Sequence, residues 1–469
     1  MAAPLISEPS NGVRVYGSQI FTDLDSYLGK AAGHQGTTFV LETPARTSTS
    51  DDLVVSILNT AKIAYAARWI SFAISLSHMN QTQSEEFVRE SWRTARRNML
   101  KLLTRATCRS VLALYLFSQT PIPTGISEEE ISDGISGVVC IHAALSQVQN
   151  LRDRRVGTHV STEFLNLESR IYWAAIAWDT ANSLVSNLRS SLTSGLKGAC
   201  LEPVWIVVRA FLKSSFQPKI QRWRAGTLED TDEVACSIFS GAAVGNLYFW
   251  KTITSLKEAV REGVDETTLQ LTWKSLLDAL NIWENSIRPL LETCQRRLNF
   301  LDPKHRLNWF QLSLEYWLGV LIVVDTLENA YRSDLIRQLT KLRQDAQCEI
   351  FNAIQYGLKT DYILPQFSEK CDLQSNGDVP ACSTSLIGVY SFFPHLLTAV
   401  RLAQKAVERD YDGHRISRAV YCSLISILVE ALGHLPPFSR GVQQAKIVIS
   451  KNGKEFGSGL ESSLNGSAS

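Results

Sequence analysis

Leu167-Glu-Ser-Arg-Ile-Tyr-Trp-Ala-Ala-Ile-Ala-Trp-Asp-Thr-Ala-Asn-Ser-Leu184 reads as one amphipathic helix. Its apolar residues recur at Leu167, Ile171, Ala174, Trp178, Ala181, Val185 and Leu188, in alternating steps of four and three that place them all on one helical face. Such a face has to be buried against other helices. The same alternation runs through Leu269, Trp273, Leu276, Leu280, Trp283, Ile287, Leu290 and Cys294, and again through Leu307, Phe310, Leu314, Trp317, Leu321 and Val324. These stretches predict two long helices lying side by side, joined at Asp302-Pro303. Pro289 should kink or divide the first, because proline removes a helical hydrogen bond and crowds the preceding turn.

Further out, the helical period begins at Asp52 with Leu53, Ile57, Ala61, Ala64 and Arg68, behind an Asp51-Asp52 pair that suits a positive helix N-terminus. That helix should end near Ser77. Further helices are expected over 83–105, over 107–118 and, from a capping box at Ser127 and Glu130, over 127–155. Gly195, Gly198 and Pro203 mark a connection, with a short helix at 204–213, and helical patterning resumes at Asp232. Lys359 to Ser383 reads as a long loop, and helices return over 385–410 and 415–432. The fold class predicted is all-α, a large array of about a dozen helices over 52–450. Residues 1–51 form an irregular, acidic arm, and the Gly- and Ser-rich residues 451–469 a disordered tail. No internal repeat is present to support a solenoid.

Composition narrows the function. With 469 residues, 45% of them hydrophobic, the chain has enough apolar material for a sizeable core. A formal net charge of +1 gives no global pull toward phosphate, so whole-chain nucleic-acid binding is disfavoured. The 9 cysteines include no Cys-x-x-Cys pair and are expected to be reduced core thiols in an intracellular protein. The apolar run Trp317 to Val324 stops at Asp325, short of a bilayer span, so no membrane insertion is expected.

No His-Glu-x-x-His, phosphate-binding glycine loop or nucleophile elbow occurs, and no enzyme activity, metal or cofactor is expected. Arg89, Arg93, Arg96, Arg97, Lys101, Arg105 and Arg109 form a basic ribbon, but Glu85, Glu86 and Glu90 share its helix and favour a paired, solvated face. Arg152, Arg154 and Arg155 suit a helix C-terminus. His142 reads as a hydrogen-bonded residue at a core edge rather than a ligand. Trp173, Trp178, Trp273, Trp283, Trp309 and Trp317 read first as core and, alternatively, as the lining of an effector pocket.

The Arg170 to Leu184 helix, with Arg170, Trp173 and Asp179, resembles the "R-x-x-W-W … D" helix in the regulatory (middle homology) domain of fungal zinc-cluster transcription factors. Three more blocks agree in order. Ala95 to Leu100 with Thr107 to Phe117 is similar to the family's "v-Q-A-L-l-L" pair, Cys140 to Leu145 to its "A-x-x-L-G-L-H" helix, and Leu192 to Gly195 to its "G-R-P" turn. Tyr172 stands where the first aromatic is usually Trp, Asn182 replaces a small or basic residue, and Gly195 is not followed by Arg-Pro.

The resemblance implies a transcription regulator of metabolic or secondary-metabolite genes, nuclear, with the cytoplasm as the alternative location. It implies partners among other regulators or a second copy of itself, and a small-molecule effector. Family members carry six zinc-binding cysteines upstream, whereas no cysteine precedes Cys108 here. Direct DNA binding is therefore not expected of this chain, either because it acts through another regulator or because its first segment is missing. Arg170, Trp173 and Asp179 are expected to be structural. The alternatives are a helical scaffold without a transcriptional role and, third, a helical enzyme.

Overall fold

The computed structural model describes residues 44–70, 80–153, 162–192, 203–216, 221, 232–300, 303–363 and 383–458. Most of the expected arm, Arg154 and Arg155, the Gly195 turn, most of the 359–383 loop and the last residues of the tail lie outside the described residues. The fold is all-α. The described chain divides into two compact units, the first taking residues up to Leu192 with Phe438–Gly441, the second those from Pro203 to Pro437 and from Val442 on. The division falls on the Gly- and Pro-containing connection read from the sequence, so the body expected as one array over 52–450 divides into two units.

In the first unit, α1 (Pro44–Ala66) begins ahead of Asp51-Asp52. Proline is well suited to a first helical position, where its fixed φ matches and its missing N–H is not needed. Helix α2 (Gln81–Met99) is started by a reciprocal capping box, Gln83 N donating to Asn80 Oδ1 at 2.8 Å and Asn80 N to Gln83 Oε1 at 3.0 Å. Helix α3 (Cys108–Ser118) is capped by Thr107.

The single helix predicted over 127–155 is two helices, α4 (Glu128–Ser132) and α5 (Gly137–Asp153). Arg96 from α2 occupies the break. Its Nε donates to Ile135 O at 3.0 Å, and its terminal nitrogens donate to Glu130 O and Ile131 O, the carbonyls that α4 leaves open. A Cβ at Gly134 would lie 2.8 Å from the guanidinium carbon, so the approach requires glycine there. Helix α6 (Thr162–Val185) packs on α5, and the core gathers Ala61, Met99, Leu102, Leu114, Cys140 and Ala175. Phe438–Gly441 pairs with the Pro121-Ile-Pro123 break, Thr124 N donating to Phe438 O at 2.8 Å and Arg440 N to Ile122 O at 2.9 Å.

The second unit contains α7 (Pro203–Phe211), α8 (Asp232–Glu262), α9 (Glu266–Ile282), α10 (Arg288–Gln295), α11 (Pro303–Asn329), α12 (Ser333–Gln338), α13 (Thr340–Lys359), α14 (Leu386–Val389), α15 (Phe393–Asp412), α16 (Arg418–Gly433) and all but the first residues of α17 (Arg440–Ser458). Every member of the Leu269 to Cys294 stripe is buried. Pro289 divides that helix as expected: a π-helical turn, Trp283–Ile287, separates α9 from α10 and absorbs the missing hydrogen bond.

The side-by-side pair expected holds only in part: α9 packs chiefly on α8, whereas the π turn and α10 meet α11, Trp283 stacking on Tyr316 and Trp309 Nε1 donating to Leu291 O at 3.0 Å, and α11 packs on α13, α8 and α15 as well. The reason is α11 itself, which is buried nearly all round from Trp309 to Val324 and so offers no single stripe to one partner. At Gly319 a Cβ would come 2.7 Å from Phe249 of α8, so glycine permits their close approach. Two described stretches, Glu128–Asp153 and Pro303–Asn329, are long and apolar enough to cross a membrane, contrary to the short apolar run expected. In the second, 78% of the most apolar window is buried within the protein, and packing accounts for its composition.

Extended chain appears among the described residues where the 359–383 loop was predicted to begin and end. Strands β1 (Asp361–Ile363) and β2 (Ser383–Ser385) pair antiparallel, Asp361 opposite Ser385. Helix α17 runs to Ser458, into the stretch expected as a disordered tail, because Val442 and Ile449 anchor it in a core.

Candidate functional site

The end of α6 is where the sequence motifs meet. Asp179 is 3% exposed, and its carboxylate accepts from Ser190 Oγ at 2.6 Å, from Ser191 N at 2.8 and 3.0 Å to its two oxygens, and from Leu192 N at 2.9 Å. Past the helix end, Asn187 adopts a left-handed φ of 54°, a conformation asparagine tolerates, and the turn over 190–192 lies on the carboxylate. Two side chains of α5 hold the same turn, His142 Nδ1 hydrogen-bonding Ser191 Oγ at 3.1 Å and Gln149 Nε2 donating to Ser191 O at 3.4 Å. One residue before Asp179, Trp178 stacks on Tyr115 of α3 with ring centroids 3.6 Å apart and planes 10° from parallel. Such a pair contributes about 0.5–1.5 kcal/mol beyond its area.

The motif residues thus part company. Asp179 is a buried structural acceptor. Trp173 is half-buried on α6, and Arg170, also half-buried, makes no ion pair among the described residues. Ile171, Ala174 and Trp178 are buried as the stripe requires, but Ala181, Val185 and Leu188 are only half-buried, while Ala175, Ile176, Thr180, Ser183 and Leu184 off the stripe are buried, so the covered face is not the predicted one alone. Periodicity found the apolar positions; the partners of Asp179 lie eleven to thirteen residues on and carry no periodic signal.

The basic ribbon is engaged within its own unit. Arg89 pairs with Glu86 at 2.8 Å, and Arg93 with Glu90 and Glu130 at 2.7 Å each. Those two carboxylates hold the Arg93 guanidinium above its ordinary value, and Arg93 in turn holds Glu130 below its own. Arg152, in the last turn of α5, lies 3.5 Å over the Tyr172 ring. Trp178, Trp273, Trp283, Trp309 and Trp317 are core residues. The cysteines are mixed: Cys108, Cys140 and Cys294 are buried, whereas Cys236, Cys348 and Cys422 are exposed.

The second unit has a polar cluster that sequence reasoning missed. Glu315 of α11 accepts from Asn246 Nδ2 of α8 at 2.9 Å and from Gln311 Nε2 at 3.0 Å, while Tyr390 OH reaches it at 3.3 Å. His395 Nδ1 lies 3.5 Å from the carboxylate and 3.3 Å from Tyr390 OH. Burial first, then Glu315, pushes the Tyr390 hydroxyl well above its ordinary value, so it remains protonated. Trp250 and Phe392 flank the imidazole, and the His395 and Glu315 side chains are 8% and 11% exposed. The cluster is a hydrogen-bonded network fixing α8, α11 and α15 in register. No group of three or more His, Cys, Asp or Glu placed to hold a metal ion occurs among the described residues.

Comparison with protein-family models, curated proteins and solved structures finds no match to this chain.

Proposed function

We propose that this chain is a helical regulatory domain of the kind found in fungal zinc-cluster transcription factors. On this reading it works in the nucleus through contacts with other regulators or a second copy of itself, on metabolic or secondary-metabolite genes, with a small molecule as effector. One observation supports the reading above the others: the blocks that carry the resemblance are joined by direct contacts around the C-terminal half of α6. Trp178 and Asp179 come from the signature helix, Tyr115 from the block ending at Phe117, His142 from the 140–145 helix, and Leu192 opens the block resembling the "G-R-P" turn. A motif whose separated pieces are joined by specific hydrogen bonds and a ring stack is a folding unit rather than a chance string of residues.

The near-zero net charge and the paired ribbon leave little free basic surface for phosphate, so promoter association comes through a partner. The test is recovery of promoter DNA with the tagged chain from chromatin, before and after deletion of a co-purifying regulator. Recovery that depends on the regulator is the expected result. Exclusive cytoplasmic location, or steeply salt-dependent binding of duplex DNA by the purified chain alone, would overturn it.

A further inference from the structure

Arg68 follows α1 in the 3-10 turn Ala67–Trp69 and is 5% exposed, yet its three guanidinium nitrogens meet no acceptor of good hydrogen-bond geometry among the described residues, the Tyr65 phenol being the one side chain near enough to interact. The guanidinium carbon sits 3.8 Å from the centroid of Tyr65 and 4.0 Å from that of Trp69. Among the described residues, the titratable groups that act on it are the phenols of Tyr65 and Tyr115. Burial lowers its affinity for the proton, but a guanidinium stays charged in a protein.

An arginine buried in this way is unusual. Cation–π contacts offset only part of the desolvation of a full charge, and N–H donors left without a well-aligned acceptor add to the cost. Tyr115, buried and stacked on Trp178, lies within electrostatic reach of the guanidinium as well. Tyr65 and Trp69 are only half-buried, so the guanidinium lies one side-chain layer below the surface.

We infer that Arg68 is the anchor of a binding site for a small monoanionic carboxylate with a flat apolar body. The planar guanidinium edge matches a carboxylate with two parallel hydrogen bonds. One carboxylate balances the one positive charge. A phosphate dianion would bring a second negative charge to a place where no second cation acts on Arg68 among the described residues. The ring-lined surroundings of Tyr65, Trp69, Tyr115 and Trp178 favour an aromatic or similarly apolar body over a hydrated one. The site does not depend on the regulatory reading and would stand if that reading failed.

The experiment titrates the full chain with benzoate, and separately with inorganic phosphate, following binding by calorimetry and the thermal midpoint. Benzoate is expected to bind and raise the midpoint, and phosphate to have at most a tenth of the effect. Arg68→Met, which keeps the length and apolar contacts of the side chain, is expected to abolish benzoate binding while the ligand-free protein folds as stably as wild type or more so. Arg68→Lys is expected to weaken binding by about tenfold or more, since an ammonium cannot present the two-donor edge. Absence of benzoate binding to wild type, an equal response in Arg68→Met, or a stronger response to phosphate would each overturn the assignment. Should Arg68→Met unfold, the Arg68→Lys titration and the wild-type comparison of the two anions decide it.

Discussion

Replacing Asp179 with alanine removes the acceptor for three donors at once: Ser190 Oγ, Ser191 N and Leu192 N, at 2.6 to 3.0 Å. A hydrogen bond to a charged group contributes roughly 1.5–3 kcal/mol when fully buried. Here the carboxylate is buried but the turn is partly exposed, so water can recover some of what the donors lose. About 1 kcal/mol for each donor is the appropriate scale, giving a loss of about 3 kcal/mol. For a unit of this size that corresponds to a fall in melting temperature of roughly 6–12 °C. Asp179→Asn keeps the shape but turns an amide NH₂ toward donors and should cost about 2 kcal/mol, while Ser190→Ala, which deletes one bond, should cost about 1 kcal/mol. Differential scanning calorimetry measures the totals, and amide hydrogen exchange supplies the local readout, with protection at Ser191 and Leu192 falling in Asp179→Ala before the core responds. If Asp179→Ala melts within about 2 °C of wild type, or if Ser190→Ala is equally destabilising with and without Asp179, the carboxylate does not hold the turn.

The ribbon arginines separate by the same logic: Arg96→Ala should lose about 3 kcal/mol because three carbonyls around Gly134 are orphaned, whereas Arg97→Ala, whose bonds are exposed, should stay within about 0.5 kcal/mol by urea denaturation. Lys257 is pulled down to about 8, by burial first and then by Arg261, with Asp325 opposing and Arg401 adding. Its charged form therefore penalises the folded state fully below about pH 8, and the penalty fades toward the ordinary value of 10.5. Lys257→Gln should accordingly be more stable than wild type at neutral pH, with the gap in urea midpoints closing as pH rises through that window; a gap independent of pH would refute this. Brief alkylation of the native chain should label Cys236, Cys348 and Cys422 but spare Cys108, Cys140 and Cys294, since burial pushes the Cys140 thiol up to about 12 and leaves little thiolate. Peptide mass spectrometry reads the outcome, and early labelling of Cys140 would contradict the packing described.

Local periodicity and capping chemistry carried the fold a long way. The Leu269 to Cys294 stripe is buried at every position, Pro289 interrupts a helix, and Ser127 caps one, though Glu130 turns to Arg93 instead of closing the expected capping box. What failed were inferences about which elements face each other. The stripe pattern of α11 suggested one partner face, but its intervening residues Leu312, Leu318, Val320 and Val323 are buried too, so α8, α13 and α15 all pack around it. The break between α4 and α5 was unreadable for a related reason: it is stabilised by Arg96, thirty-four to thirty-nine residues away, and a distant donor leaves no mark on the local sequence.

The same distinction separates the polar groups. Asp179 could be singled out because it stands in a recognisable helix, but its task became visible only once the chain doubled back to place Ser190, Ser191 and Leu192 on it. Glu315, Asn246, Tyr390 and His395 had no such pointer, being drawn from helices and turns separated by up to 75 residues in the direct bonds to Glu315. In an all-α protein a polar side chain on a predicted core face is ambiguous between an error of phase and a buried bond. Pairing decides which: Asp179 and Glu315 are satisfied by several donors each and so belong to the framework. Arg68 fails that criterion, being as buried as they are but without a well-aligned acceptor among the described residues, and such a buried charge is where a ligand from outside the chain would contribute most.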